Sequence, residues 1–256
     1  MGCPVDRLTT EETLELCRNW IAEARRSHVL VGINANNYVL AQKNKDLSEA
    51  VGNADLIQAD GVSIVLASRL MGMRIPERVN GTDLMNRLIE EADQRRLRIF
   101  FLGTKEMVLQ RMLSILKEKY NGLKIAGFHN GYFGADEETY IIEGIRKSQA
   151  DILLVGMPTP FKEVWCYKIK VKLDITVILG VGGSFDVLAG FIKRAPSWMQ
   201  KAGLEWFWRL IMEPRRMWKR YLIYNTLFLF AFSKYLVRSK IADVRKRLNI
   251  GLTTRS

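Results

Sequence analysis

The chain of 256 residues is 48% hydrophobic and 26% charged, with a mean hydropathy of −0.04 and a formal charge of +12. It is too apolar for a disordered chain and long enough for one large domain or two small ones. Three scattered cysteines without a CxxC, and only His28 and His129 without an HExxH, argue against a disulfide scaffold, a histidine zinc site or a histidine triad.

The opening, MGCPVDRLTTEETLELC, is mixed and acidic, lacks the apolar core of a cleavable signal, and has Asp6 where a myristoylation motif carries Ser or Thr. The body is therefore expected to stay in the cytoplasm. Thr9-Thr10-Glu11-Glu12 offers an N-cap for a first helix running to about Arg26. Apolar runs at 29–33, 99–102, 123–128, 152–155 and 176–179 read as strands, and the amphipathic stretches 83–95 and 105–120 as helices between them. Strands alternating with helices predict an α/β fold, a Rossmann-like and mostly parallel sheet with helices on both faces. In such sheets ligands bind beyond the carboxyl ends of the strands.

The segments after the strands are accordingly the first candidates for a site. They are Asn34-Ala35-Asn36-Asn37, the run from Gly156 through Pro158, Pro160 and Lys162 to Glu163, and Gly180-Val181-Gly182-Gly183-Ser184-Phe185-Asp186. Glycines there let backbone N–H groups approach a phosphate, although each cluster alone also suits a tight turn. Phe185 stands where GxGxxG needs its third glycine, and no GKS or GKT exists, so a dinucleotide fingerprint is broken and a P-loop excluded. Asp60-Gly61 is, by itself, an ordinary turn pair, and Glu77-Arg78 an ordinary surface pair.

The charge is concentrated at the far end. All of the net +12 falls within residues 191–256, where 15 Lys/Arg face Glu205, Glu213 and Asp243, and where four of the six tryptophans lie. Division into a catalytic body, 1–190, and a basic, aromatic-rich helical appendage, 191–256, follows. Residues 221–237, YLIYNTLFLFAFSKYLV, are too short and too interrupted to span a bilayer, which takes about 20 apolar residues. Their row of aliphatic and aromatic side chains between cations favours an anionic membrane surface over nucleic acid, as an in-plane helix. A buried core helix with solvated basic flanks is the alternative.

The order of these features, and above all the stretches ADGVSIV, ERVNGTDL, GVGGSFDVLAG and RAPSWMQKAGLEWFWRLIMEPRRMWKRY, resembles the WecG/TagA/CpsF family of bacterial glycosyltransferases, glycosyltransferase family 26, over roughly residues 29–221. The resemblance implies an inverting enzyme that uses neither metal nor cofactor. It would move a sugar from a UDP-sugar to a polyprenyl-diphosphate-linked sugar, as a peripheral protein at the cytoplasmic face of the bacterial membrane. Asp60 then corresponds to the family's proposed catalytic base, Arg78 to its Glu-Arg-Val arginine, and Asn36 to the asparagine of a Thr-x-Asn loop whose first position is here Asn34. Where many members have Pro-x-Gln-Glu, this chain has Phe161-Lys162-Glu163, so Lys162 replaces a neutral amide with a cation.

Departure of UDP without a metal requires donors for the diphosphate. Arg78, Lys162, the amides of Gly180, Gly182 and Gly183, and Arg209, Arg216 and Arg220 of the appendage are the candidates. The last three, spaced by seven and four, would share one face of a continuous helix, with Pro214 standing in its way. Asp186 is the reserve base. A nonenzymatic membrane-surface protein regulated by a nucleotide is the rival reading, and a soluble oxidoreductase a weaker one given the broken glycine fingerprint. Homo-oligomerisation is left open.

Overall fold

The computed structural model describes residues 2–23 and 26–253, with side chains as far as residue 239. Six strands, β1 (His28–Ile33), β2 (Leu56–Ala59), β3 (Arg98–Gly103), β4 (Lys124–His129), β5 (Ile152–Gly156) and β6 (Val177–Gly180), form one sheet in the order β2-β1-β6-β5-β3-β4. Every pairing is parallel. The interior strands are apolar after their first residues, His28 in β1 and Arg98 in β3, with ILLVG in β5 wholly buried, because helices cover both faces. The edge strand β4 is largely half-exposed and tolerates Lys124 and His129.

The body helices are α1 (Thr10–Glu23), α2 (Ala35–Ala41), α3 (Lys45–Gly52), α4 (Val62–Leu70), α5 (Gly81–Arg95), α6 (Glu106–Lys119), α7 (Ala135–Lys147), α8 (Phe161–Ile169) and α9 (Ser184–Leu188). Helices α2, α3, α4, α7 and α8 pack into one core with alternate side chains of the sheet. On the opposite face α1, α5, α6 and α9 build the second core. The first helix begins as its capping signal predicts: Thr9 N–H donates to the Glu12 carboxylate at 2.7 Å, and Glu12 N–H donates to Thr9 Oγ1 at 3.2 Å. It is described as far as Glu23; residues 24 and 25 lie outside the described residues, and Arg26, where it was expected to end, is not helical. Strand β2 was not anticipated, because LIQA is only four residues long and carries a glutamine in its middle.

The chain leaves β1 for α2 on one face and leaves its sheet neighbour β6 for α9 on the other, so a crevice opens between them at the carboxyl edge. Over it lie α10 (Ser197–Lys201), α11 (Glu205–Met212), α12 (Pro214–Trp218), a π-helical turn (Lys219–Ile223) and α13 (Tyr224–Thr253). Among the described residues no helix is long and apolar enough to cross a membrane. The apolar row in α13 is divided between two surroundings. Phe228 and Phe232 are buried, with Tyr38 of α2 edge-on to Phe228 at 5.4 Å between ring centroids, while Leu229 and Phe230 are exposed. The in-plane helix read from the sequence therefore has a core face, and the expected membrane face is restricted to the remaining side.

Candidate active site

Asp60 directly follows β2 at the floor of the crevice, fixed from three directions. Its backbone N–H donates to the Ile33 carbonyl at 3.0 Å. Its Oδ1 accepts from Gly81 N–H, and its Oδ2 from Asn34 Nδ2, each at 3.1 Å. Asn34 is at once the N-cap of α2, its Oδ1 accepting from Asn37 N–H at 3.1 Å. Gly61 is required by contact: a Cβ there would lie 2.7 Å from Asn34 Cβ. The first-strand amide loop and the Asp-Gly turn are thus one hydrogen-bonded unit, and Asn36 lines the crevice beside it.

The crevice, about 590 Å³, is walled by the loops after β1, β2, β5 and β6 and by the appendage. On the β6 side Gly182 has φ +56°, a left-handed conformation suited to glycine, and it shapes the turn of Gly180 to Gly183. A methyl group on Gly183 would lie 3.8 Å from Arg209 Nη1 and 3.9 Å from Arg216 Nη2. Two guanidinium groups from the appendage therefore hang over the glycine turn, and Arg220 lines the same crevice. Pro214 does interrupt the helix; Glu213 has φ −132°, ψ 58°, and the three arginines fall in α11, α12 and the π-turn. Asp186 sits below Gly183, 3.8 Å from the same methyl position. Burial raises its carboxyl above the ordinary range, with Arg216 opposing the rise.

Three cations expected to face a ligand are already paired, Arg216 among them, through Nη1 to the Glu213 carboxylate at 2.8 Å. Arg78 forms an ion pair with Glu205 of α11, whose carboxylate also accepts from Asn80 Nδ2 at 3.0 Å. Arg194 reaches Glu205 too, at 3.6 Å, and pairs with Asp83. Lys162 is buried, ion-paired with Glu163 and donating to Thr159 Oγ1 at 2.8 Å. It still borders the crevice, because a methyl on Gly180 would lie 3.2 Å from its Cε. Glu163 stands behind Lys162, off the crevice lining, and accepts from Asn37 Nδ2 at 3.3 Å.

Sequence reasoning passed over three contributors. Glu205 was counted only as charge, although it ties the appendage to the Arg78–Asn80 loop. Tyr221 lines the crevice; burial pushes its hydroxyl up, with Arg220 and Arg209 opposing and Asp60 adding to the rise. Gln58, two residues before Asp60, is 97% buried on the crevice wall, and neither atom of its amide has a partner among the described residues. A polar residue inside a predicted core strand is the signal that would have found it.

Sheet, switch point and arginine-roofed crevice define a doubly wound α/β protein whose site suits an anionic ligand. The Glycosyl transferase WecG/TagA/CpsF family matches residues 1–242. The chain is 34% identical over 194 residues to the N-acetylglucosaminyldiphosphoundecaprenol N-acetyl-beta-D-mannosaminyltransferase of Bacillus subtilis (strain 168), covering 76% of this chain and 75% of that one. It is 35% identical over 182 residues to the protein of the same name from Bacillus spizizenii, covering 71% and 70%. The chain belongs to the WecG/TagA/CpsF family and is a glycosyltransferase.

Proposed function

We propose that the protein transfers a sugar from a UDP-sugar to a polyprenyl-diphosphate-linked sugar in cell-envelope polysaccharide synthesis, with inversion and without a metal, at the cytoplasmic face of the membrane. The observation that carries this is the meeting of Arg209 and Arg216 over the Gly183 turn, in the crevice whose floor is Asp60. The polyprenyl-linked acceptor is supported by the names of the two relatives, whose acceptor is an N-acetylglucosaminyl diphosphoundecaprenol.

In this reading Asp60 takes the proton of the acceptor hydroxyl as that oxygen attacks C1 of the donor sugar. The bond from C1 to the diphosphate oxygen breaks on the opposite face, and UDP leaves with the electron pair. The leaving charge falls on the guanidinium groups of Arg209, Arg216 and Arg220 and on the amides of Gly180, Gly182 and Gly183. Arginine's planar fork and preorganised N–H groups stabilise that charge without a metal. Asn34 orients Asp60, and Asn36 faces the substrates. Arg78 acts chiefly by holding Glu205 and so closing the appendage. Lys162 meets the donor from below Gly180, its ammonium steadied by Glu163.

Incubation with a panel of UDP-sugars and a diphosphate-linked N-acetylglucosamine lipid, in the presence of a chelator, tests the reading. The expected product is a disaccharide lipid whose new anomeric centre is inverted relative to the donor. Failure of every UDP-sugar, or dependence on a divalent ion, would overturn it.

A further inference from the structure

A second cavity, about 230 Å³, lies behind the crevice. Its walls are Ile33 of β1, Tyr38 of α2, Ile64 and Ala67 of α4 and Phe228 of α13, with the N-terminal stretch from Cys3 to Arg7 along its edge. Its lining is apolar in effect: Ser68 spends its hydroxyl on the Val65 carbonyl at 2.8 Å, leaving Arg7 as the one charge on the lining. The cavity is open on one side to the surface rather than an enclosed void. It is also smaller than the roughly 300–1,000 Å³ of a drug-sized site, and suits a slender chain.

The cavity and the crevice are bordered by neighbouring residues of the same elements. Ile33 borders the cavity, and its carbonyl accepts from the N–H groups of Asp60 and Gly61 at 3.0 and 3.1 Å. On α4, Val62 and Ser63 face the crevice, Ile64 and Ala67 the cavity; on α13, Tyr224 faces the crevice and Phe228, one turn on, the cavity. Outside, α4 exposes Leu66 and Leu70, and α13 exposes Leu229 and Phe230. An acceptor whose sugar hydroxyl lies at Asp60 would need an apolar berth next to the crevice, reachable from an apolar surface. Resting on the proposed acceptor class, we infer that this cavity binds the isoprenoid segment nearest the diphosphate of the lipid acceptor.

Cys3 lines the cavity and is only partly buried, although burial raises its thiol too, whereas Cys17 and Cys166 are fully buried and shielded from reagent, their thiols pushed up to about 12. Maleimide labelling of Cys3 in the full-length protein, followed by mass spectrometry, therefore reports occupancy. Farnesyl diphosphate is expected to slow labelling about tenfold, and inorganic diphosphate, UDP and phosphatidylglycerol vesicles not to. Equal protection by vesicles would make the occupant a bilayer acyl chain and overturn the inference, as would no protection by farnesyl diphosphate. In kinetics, Ala67→Phe, which fills the cavity, should raise KM about tenfold for a farnesyl-diphosphate-linked N-acetylglucosamine while leaving a methyl-diphosphate-linked analogue unchanged. Equal effects on both acceptors would also overturn it. If that variant does not fold, the Cys3 measurement decides. If wild type glycosylates neither acceptor, the functional reading fails while Cys3 protection still reports on the cavity.

Discussion

Replacing Asp60 by asparagine removes the proposed base, but the structure shows that the exchange is not silent elsewhere. Both carboxylate oxygens accept hydrogen bonds, one from Gly81 N–H and one from Asn34 Nδ2. An asparagine keeps one acceptor and turns the other position into a donor facing the donor of Asn34. Either that contact is lost, at about 1.5–3 kcal/mol for a hydrogen bond to a charged group, or Asn34 flips its amide and abandons the N-cap of α2, at about 1 kcal/mol. The expected loss is thus about 1–3 kcal/mol, or about 2–4 °C in Tm per kcal/mol for a chain of this size. Transfer should fall by about 10²- to 10⁴-fold. The double variant Asp60→Asn/Asn34→Asp separates the two effects. Its residue 34 accepts from the new amide and still caps α2, so melting should return towards wild type while transfer stays depressed, because the carboxylate has moved off the crevice floor. Thermal melting and single-turnover transfer measure both quantities. Recovery of transfer to within a few-fold in the double variant, or near-normal transfer in Asp60→Asn alone, would refute Asp60 as the base.

Arg216→Ala should depress turnover even with a water-soluble acceptor and no membrane, because a contact to the departing diphosphate acts on the transition state; unchanged turnover would leave the charge to Arg209 and the glycine turn. Gln58→Met removes an amide with no partner among the described residues, so it should stabilise the fold by about 1 kcal/mol and raise KM for one substrate, read by melting and steady-state kinetics. Leu229→Glu with Phe230→Glu should weaken binding to anionic vesicles at least about tenfold without lowering Tm, whereas Phe228→Glu should unfold the protein. Because Asp186 has a raised carboxyl, the native state holds more protons than the unfolded chain from the ordinary carboxylate range upward. Its contribution to stability therefore declines as pH rises through that window, and the advantage of Asp186→Asn over wild type in Tm should grow from about pH 4 towards neutrality.

Most of the sheet was legible because buried parallel strands are continuous apolar runs bounded by polar turns, as at 152–155 and 176–179. Strand β2 escaped because Gln58, in the middle of a run of only four residues, breaks the apolar pattern by which strands are recognised. Asp60, the glycine turn and the appendage arginines were legible as residue types that burial alone does not require. Their partners were not: Glu205 lies 127 residues from Arg78, and nothing local to either marks the pair. The two faces of α13 were indistinguishable in sequence, since LFLFAF offers apolar side chains in every direction and only packing against the body core, with Tyr38 on Phe228, selects Phe228 and Phe232 for burial.

The break at Glu213 explains why the appendage has the form it has. On a straight helix Arg209 and Arg216 would be about 10.5 Å apart along the axis, at about 1.5 Å per residue, a line suited to a flat layer of headgroups. Here their guanidinium groups come within 4 Å of a single point above Gly183. Glu213 leaves helical geometry and Pro214 restarts it, so the line bends into an arc around the crevice. The arc is held from the body side by Glu205, which links the start of α11 to Arg78, Asn80 and Arg194. Beyond it, Phe228 and Phe232 pin α13 to α2. The stretch from α11 to the start of α13 is thus fastened on both sides of the site, so a change that loosens it from the body removes arginines from the crevice.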